Sequence, residues 1–199
     1  MGDALTNYHL NYSRTDYTVE EYETIVQQAG EGKRYEYDNG KIIPFVNEYT
    51  TTDHNQIVLN TANLLINYYY PKGCRVYTEN VRLIIEGERN HRLPDVLVTC
   101  SERDKNAKDA VYDARVVVEV LSPATSFTDL VKKAKLYKKI PSLVLYIIIK
   151  PDAVWVRVYE RGNEGNFGER EYESFDDIIE LSSIGFNLEV RNLYRFVLA

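Results

Sequence analysis

The stretch VVVEVLSP, residues 116–123, places one glutamate, Glu119, inside a run of valines. The β-branched residues and the length of the run predict a strand that is buried on both faces. A carboxylate is rarely found in such a strand without a partner, because an isolated buried charge is costly. Glu119 is therefore the first candidate for a functional residue.

The segments on both sides of this strand predict an α/β fold with a mixed central sheet flanked by helices. Residues 128–139 have helical spacing and end before Pro141, and residues 143–149 form a second strand buried on both faces. This order of strand, helix and strand implies a crossover between neighbouring parallel strands. The other predicted elements are a helix at 18–30, a hairpin at 34–45 with its turn at Asn39 and Gly40, a helix at 54–70, strands at 76–85, 93–99 and 154–160, loops at 101–113 and 162–168, and a short helix with a final strand or helix at 174–198.

Length and composition predict one soluble domain. With 199 residues the chain can build one sizeable core, so we expect a single domain over 1–199, with 1–17 as an N-terminal extension. The longest purely apolar run, 143–149, is far shorter than the roughly 20 residues of a membrane helix, so we expect a cytoplasmic protein without a membrane partner. Cys74 and Cys100 lack the spacing of a zinc site or a disulfide framework and are expected to be reduced.

Two acids lie on strands that the order of elements can bring together. Asp95 precedes the predicted strand around residues 96–98, and Glu119 lies in the next buried strand. If these strands are neighbours, the two carboxylates repel by about 4 kcal/mol at roughly 4 Å and an effective dielectric of about 20, so they need a cation or a shared proton. A divalent metal with oxygen ligands resolves this, and Mg²⁺ fits better than Zn²⁺ because no cysteine or histidine cluster accompanies the acids.

The helix after Glu119 carries a lysine that helical geometry directs inward. At about 100° per residue counted from Asp129, Lys133 falls at about 40°, beside the apolar face. That face comprises Leu130, Ala134 and Tyr137, whereas the other lysines lie on the far side, at positions 132, 135, 138 and 139. Lys133 is therefore expected near Glu119, where an ammonium can position a water or offset developing charge during phosphodiester hydrolysis.

Two further residues are candidates for the same site. Glu36, on the first hairpin strand, is a candidate metal ligand, either directly or through a water, and His54, at the start of a helix, is a candidate contact to the scissile phosphate. Simpler interpretations of these residues stay open. They are an ion pair of Glu119 with Arg92 or Arg115, a surface ion pair of Lys133 with Asp129, a solvated Glu36 beside its turn, and a His54 side chain that caps its helix. His91 is expected in a loop.

Six motifs follow one another along the chain, together with a lone histidine that opens a helix: T-x-E-E-Y, Y-E-x-D-N-G-K-I, P-D-V, V-V-E-V-L-S-P-A-T, D-L-x-x-K-x-x-x-Y and I-P-S-L-x-x-Y. In these motifs the sequence resembles a known family, the Uma-type restriction endonucleases of the PD-(D/E)XK nuclease superfamily, formerly catalogued as a domain of unknown function. The similarity covers roughly residues 18–198.

The resemblance implies a restriction-endonuclease-like fold and a Mg²⁺-dependent DNA endonuclease, with Mn²⁺ as an alternative metal. Asp95 and Glu119 match the metal ligands, and Glu36 matches the supporting acid. The superfamily's usual lysine stands two places after the second acid, where this chain has Leu121, and Lys133 on the following helix matches the relocated lysine. DNA is the implied partner, and a homodimer is compatible because cutting two strands requires two sites.

Two other classes of protein compete with this hypothesis. A catalytically silent nucleic-acid-binding or interaction module that retains the fold is favoured by the net charge of −6, since bulk electrostatic nucleic-acid binders are basic, and by Leu121. Asp95-dependent metal binding would separate it from a nuclease. A metal-free hydrolase with paired carboxylates, such as a glycosidase, would keep its activity in EDTA.

Overall fold

The computed structural model describes residues 10–30, 32–45, 51–85, 87, 89–122 and 127–198. Its helices are α1 (Val19–Gln28), α2 (Thr52–Tyr69), α3 (Glu102–Asn106), α4 (Phe127–Tyr137) and α5 (Val190–Leu193). Its strands are β1 (Arg34–Asp38), β2 (Lys41–Phe45), β3 (Arg75–Thr78), β4 (Arg82–Ile85), β5 (Asn90–Arg92), β6 (Val96–Thr99), β7 (Ala110–Val111), β8 (Ala114–Val120), β9 (Leu145–Ile149), β10 (Val156–Arg161), β11 (Phe167–Tyr172), β12 (Ile178–Leu181) and β13 (Phe186–Glu189).

The central sheet has six strands in the order β11-β10-β9-β8-β6-β3 and is mixed, as predicted. β8 and β9 run parallel on either side of the α4 connection, and the other neighbours are antiparallel. Alternate residues of β8 face opposite layers: Val116 and Val118 pack with Ile57 and Leu65 of α2, whereas Val117 packs with Leu130 of α4. The strand is buried on both faces because a helix covers each side.

A second sheet, in the order β2-β1-β5-β4-β7, carries the N-terminal hairpin. The predicted turn is confirmed, with positive φ angles at Asn39 (43°) and Gly40 (99°). The predicted helix start is confirmed by a capping box in which Thr18 accepts from the Glu21 backbone and the Glu21 carboxylate accepts from the Thr18 N–H. Tyr17, in the predicted N-terminal extension, is buried in the small core formed with α1, β1 and β2.

Several predicted boundaries were wrong. The segment 76–85 is two strands that belong to different sheets, because Glu79 and Asn80 adopt positive φ angles of 41° and 61° and turn the chain. The segment 101–113, predicted as a loop, contains α3 and β7, and β11 follows a short turn where a loop was predicted at 162–168. The C-terminal segment forms the two-stranded β12-β13 sheet before α5.

The two cysteines are not reduced, which corrects the expectation drawn from their spacing. Cys74 directly precedes β3 and Cys100 directly follows β6, and the two form a disulfide bond with Cα atoms 4.2 Å apart. β3 and β6 are antiparallel with Arg75 opposite Thr99, so the next pair outward consists of the cysteines. Spacing along the chain does not reveal such a pair, because strand register sets it.

No helix within the described ranges is both long and apolar enough to cross a lipid bilayer.

His91, expected in a loop, lies on β5 and is buried against the rings of Tyr22 and Tyr37. Burial lowers the pKa of His91 to about 4. The Glu23 carboxylate, whose Oε1 lies 3.5 Å from His91 Nδ1, raises this pKa only in part, whereas the charges of Arg82 and Arg92 lower it further. The folded protein therefore holds this imidazole neutral at a pH where the unfolded chain protonates it. Stability contributed by His91 is lost as the pH falls from about 6.5 towards about 4.

We expect the free energy of unfolding to fall by about 1–2 kcal/mol between pH 7 and pH 5 through His91. The variant His91→Phe keeps an aromatic ring in the cluster and should lose this part of the pH dependence. Urea unfolding of both proteins at the two pH values measures it. His54 cannot supply the same slope, because its pKa is raised rather than lowered. An unchanged pH dependence in His91→Phe would contradict the assignment.

Candidate functional site

The two acids singled out in the sequence meet at one end of the β6–β8 pair. The strands are antiparallel with Val96 opposite Val118, so one step further along the register sets Asp95 opposite Glu119. The Val120 N–H donates to Asp95 Oδ2 at 2.6 Å, which ties the carboxylate to the neighbouring strand. The adjacency on which the predicted site depends is therefore present.

Helix α4 supplies both hydrogen-bond donors to the Glu119 carboxylate. Lys133 Nζ donates to Oε2 at 2.9 Å, and the Tyr137 hydroxyl donates to Oε1 at 2.7 Å. These residues are one helical turn apart, at i and i+4, and so project from the same face of the helix. Glu119 is thus satisfied by a lysine and a tyrosine rather than by an arginine. The side chain of Asp129, the other partner considered for Lys133, lies outside what the structure describes.

The pKa values of this pair reflect burial and crowding of carboxylates. Burial raises the pKa of Glu119; Lys133 opposes the shift, and the nearby charges of Asp95 and Glu36 add to it. Burial acts to lower the pKa of Lys133, but the carboxylates of Glu119, Glu36 and Asp95 outweigh it and the net pKa is raised. Lys133 is therefore an ammonium at neutral pH that interacts with the charges of three acids. Two of these acids have a further basic neighbour: Arg92 lies 3.6 Å from Glu36, and His54 lies 3.6 Å from Asp95.

His54 reaches the same place from the first turn of α2. Its Nε2–H donates to the carbonyl oxygen of Val120 at 3.1 Å and lies 3.6 Å from Asp95 Oδ2. The helix is capped instead by Thr51, whose hydroxyl accepts from the His54 backbone N–H. Burial acts to lower the pKa of His54, but Asp95 outweighs it and the net pKa is raised. The His54 side chain therefore lies beside Asp95 and does not cap the helix.

Glu36 is buried rather than solvated, and it approaches the site from the second sheet. Its Oε1 accepts from the Leu93 N–H at 3.0 Å, and its Oε2 lies 3.6 Å from Nη1 of Arg92. The other terminal nitrogen of that guanidinium, Nη2, lies 3.2 Å from Asp38 Oδ1. Leu93 is two residues before Asp95 in the chain. Glu36 therefore anchors the segment that delivers Asp95, and its charge is felt at both Glu119 and Lys133.

The donor atoms gathered here suit a hard cation. The carboxylates of Asp95 and Glu119 and the carbonyl of Val120 are oxygen donors of the kind that Mg²⁺ prefers. Among the residues that the structure describes, no group of three or more His, Cys, Asp or Glu side chains is arranged to hold a metal ion. A cation at Asp95 and Glu119 would need main-chain oxygen and water to complete its coordination.

Every side chain proposed from the sequence lies in this one region. Lys133 contacts Glu119, whereas Asp95 and His54 both contact the main chain of Val120, the residue after Glu119. Glu36 contacts the main chain of Leu93, two residues before Asp95. Tyr137 was missed, because a tyrosine on the apolar face of a helix suggests packing alone. Its position four residues after Lys133 was the available signal.

The fold and the sequence were compared with known proteins. Residues 19–191 match the model of the Uma2 family, described as "Putative restriction endonuclease". The chain is 29% identical over 163 residues to the uncharacterized protein slr1290 of Synechocystis sp., covering 82% of this chain and 84% of that protein. It is 28% identical over 146 residues to the uncharacterized protein sll1609 of the same organism, covering 72% and 80% respectively.

A solved structure shares the fold. The crystal structure of a putative nuclease belonging to DUF820 from Anabaena variabilis superposes with a TM-score of 0.71 at 19% identity, covering 92% of this chain and 99% of that one. The likeness confirms the predicted mixed α/β, restriction-endonuclease-like architecture.

Proposed function

The chain belongs to the Uma2 family of putative restriction endonucleases, and from this membership and the site geometry we propose that it is a Mg²⁺-dependent endonuclease that hydrolyses phosphodiester bonds in DNA. The family and the fold support a nuclease-like function.

One observation carries the proposal. Asp95 and Glu119 lie across from one another on neighbouring strands, with the ammonium of Lys133 2.9 Å from Glu119. The pKa values of Glu119 and Lys133 are both shifted by burial and by neighbouring charges. Buried, coupled groups of this kind beside a second acid are typical of functional sites, which supports a shared cation here.

Asp95 and Glu119 would hold the cation, together with the Val120 carbonyl, and Mn²⁺ would suit the same oxygens. When bound, Mg²⁺ supplies Lewis-acid stabilisation of a phosphate oxygen and lowers the pKa of a water. The strand pairing fixes both acids before any substrate arrives, so little reorganisation is needed on binding.

The remaining residues act on the substrate or on the acids. Lys133, partly exposed and charged, orients the attacking water or offsets the charge that develops on the phosphate. His54 contacts the scissile phosphate or its leaving oxygen. Glu36 holds the segment before Asp95 through Leu93 and contributes to metal binding through a water.

The outer face of α4 offers a surface for DNA backbone phosphates. Lys132 and Lys135 are exposed there, on the same helix that carries Lys133. The chain as a whole has a net charge of −6, so contacts with DNA phosphates require a local basic surface. The lysines of α4 would attract the phosphate backbone to this helix. A homodimer would supply a second site for the second strand, and a cytoplasmic location likewise remains a prediction.

A silent nucleic-acid-binding module is the second candidate, and Leu121 at the superfamily's lysine position favours it. Isothermal titration of Mg²⁺ and Mn²⁺ against the wild type and Asp95→Ala separates the two. The nuclease proposal predicts binding that Asp95→Ala abolishes and that Glu102→Ala, at a highly exposed acid, leaves unchanged. Absence of Asp95-dependent binding would favour the silent module.

A further inference from the structure

Both oxygens of the Glu119 carboxylate accept hydrogen bonds from side chains on one face of α4. Lys133, whose side chain is 25% exposed, takes Oε2, whereas Tyr137, with no exposed surface, takes Oε1. The hydroxyl therefore lies on the interior side of the carboxylate and the ammonium on the accessible side. A cation that binds Oε2 would share that oxygen with Lys133 and would leave the Tyr137 hydrogen bond to Oε1 in place.

We propose that Tyr137 is a positioning residue for metal binding, which fixes the Glu119 carboxylate so that Oε2 is presented towards Asp95. The inference rests on the proposed function, since it concerns the same cation. Hydrogen bonds behind a metal-binding group orient it and are commonly worth a factor of about 10–100 in metal affinity. The hydroxyl acts as a donor here, because the carboxylate oxygen 2.7 Å away can only accept.

The surroundings of Tyr137 make the hydrogen bond rigid. Its ring meets that of Tyr146 edge-on with centroids 5.0 Å apart, and Tyr146 in turn stacks on Tyr159 at 5.7 Å. The Tyr137 carbonyl accepts from the Ile140 N–H at 2.9 Å, which fixes the end of α4. The ring therefore has little freedom to turn, and its hydroxyl remains directed at Oε1.

The same ring cluster supplies a matched control. Tyr146 is as buried as Tyr137, but within the described residues its hydroxyl has no hydrogen-bond partner. Tyr137→Phe and Tyr146→Phe thus remove the same atom from neighbouring rings, and only the first removes a bond to Glu119. A role in packing alone would make the two variants alike.

Isothermal titration with Mn²⁺ tests the proposal in the wild type, Tyr137→Phe, Tyr146→Phe and Asp95→Ala. We expect the dissociation constant to rise roughly 10- to 100-fold in Tyr137→Phe and to stay within about twofold of the wild type in Tyr146→Phe. Equal affinity in Tyr137→Phe and the wild type, or equal losses in both phenylalanine variants, would overturn the role of Tyr137 while Asp95-dependent binding upholds the metal site. Absence of Asp95-dependent binding in the wild type would overturn both.

A second measurement does not depend on the folding of a variant. In wild-type crystals soaked in Mn²⁺, the Tyr137 hydroxyl should remain within hydrogen-bond distance of Oε1 while Oε2 contacts the metal. Loss of that hydrogen bond on metal binding, or a metal bound through Oε1, would overturn the proposal.

Discussion

Asp95→Ala and Glu119→Ala are each expected to reduce metal-dependent nicking of plasmid DNA by about 10³-fold or more, to the level of the background. Each removes an oxygen donor that the proposed cation needs, and Asp95, directly before β6, stands opposite Glu119 of β8. Conversion of supercoiled plasmid to the open-circular form in Mg²⁺ and in Mn²⁺ measures the loss.

Folding has to be separated from catalysis in this test. Glu119→Ala leaves Lys133 and the Tyr137 hydroxyl without their shared acceptor, which destabilises a buried site. Asp95→Asn and Glu119→Gln keep the shape of each side chain and should lose cleavage while keeping the wild-type thermal unfolding within a few degrees. Undiminished cleavage by either acid variant, once shown to be folded, would remove that acid from the mechanism.

Lys133→Met is expected to lower the cleavage rate by about 10²–10³-fold while Asp95-dependent metal binding persists or tightens. The ammonium contributes charge and hydrogen bonding to the reaction, but it also competes with a cation for Glu119 Oε2. Methionine keeps the unbranched chain without the charge. Single-turnover nicking at saturating Mg²⁺ separates this effect from metal affinity.

Lys132→Met is the matched control for Lys133→Met, because Lys132 is the preceding residue of α4 and lies on the exposed face of the helix. It should leave the cleavage rate of bound DNA nearly unchanged and affect at most the affinity for DNA. An equal rate in Lys133→Met and the wild type would show that the relocated lysine is not catalytic and would strengthen the silent-module alternative.

Local chemistry made some features predictable from sequence. Asn39 and Gly40 specify their turn through positive φ angles, and Thr18 with Glu21 specifies the start of α1. The inward direction of Lys133 followed from helical periodicity, and its contact with Glu119 agrees with that geometry. Such features depend on residues a few positions apart.

Features set by strand register were not predictable. The pairing of Cys74 with Cys100 follows from how β3 meets β6, and the division of residues 76–85 between two sheets follows from the turn at Glu79 and Asn80. β11 was not predicted, because its polar sequence, FGEREY, is typical of a loop. In the structure the strand is partly exposed, which is compatible with polar side chains. These outcomes depend on partners that are distant in sequence.

The proposed nuclease depends on one divalent cation that Asp95 and Glu119 share within reach of Lys133. Anomalous diffraction from wild-type crystals soaked in Mn²⁺ locates such a cation. We expect one Mn²⁺ about 2.0–2.3 Å from an oxygen of each carboxylate, with Lys133 Nζ in the same site. Mn²⁺ bound elsewhere, or none at this site while both carboxylates keep their present hydrogen bonds, would contradict it.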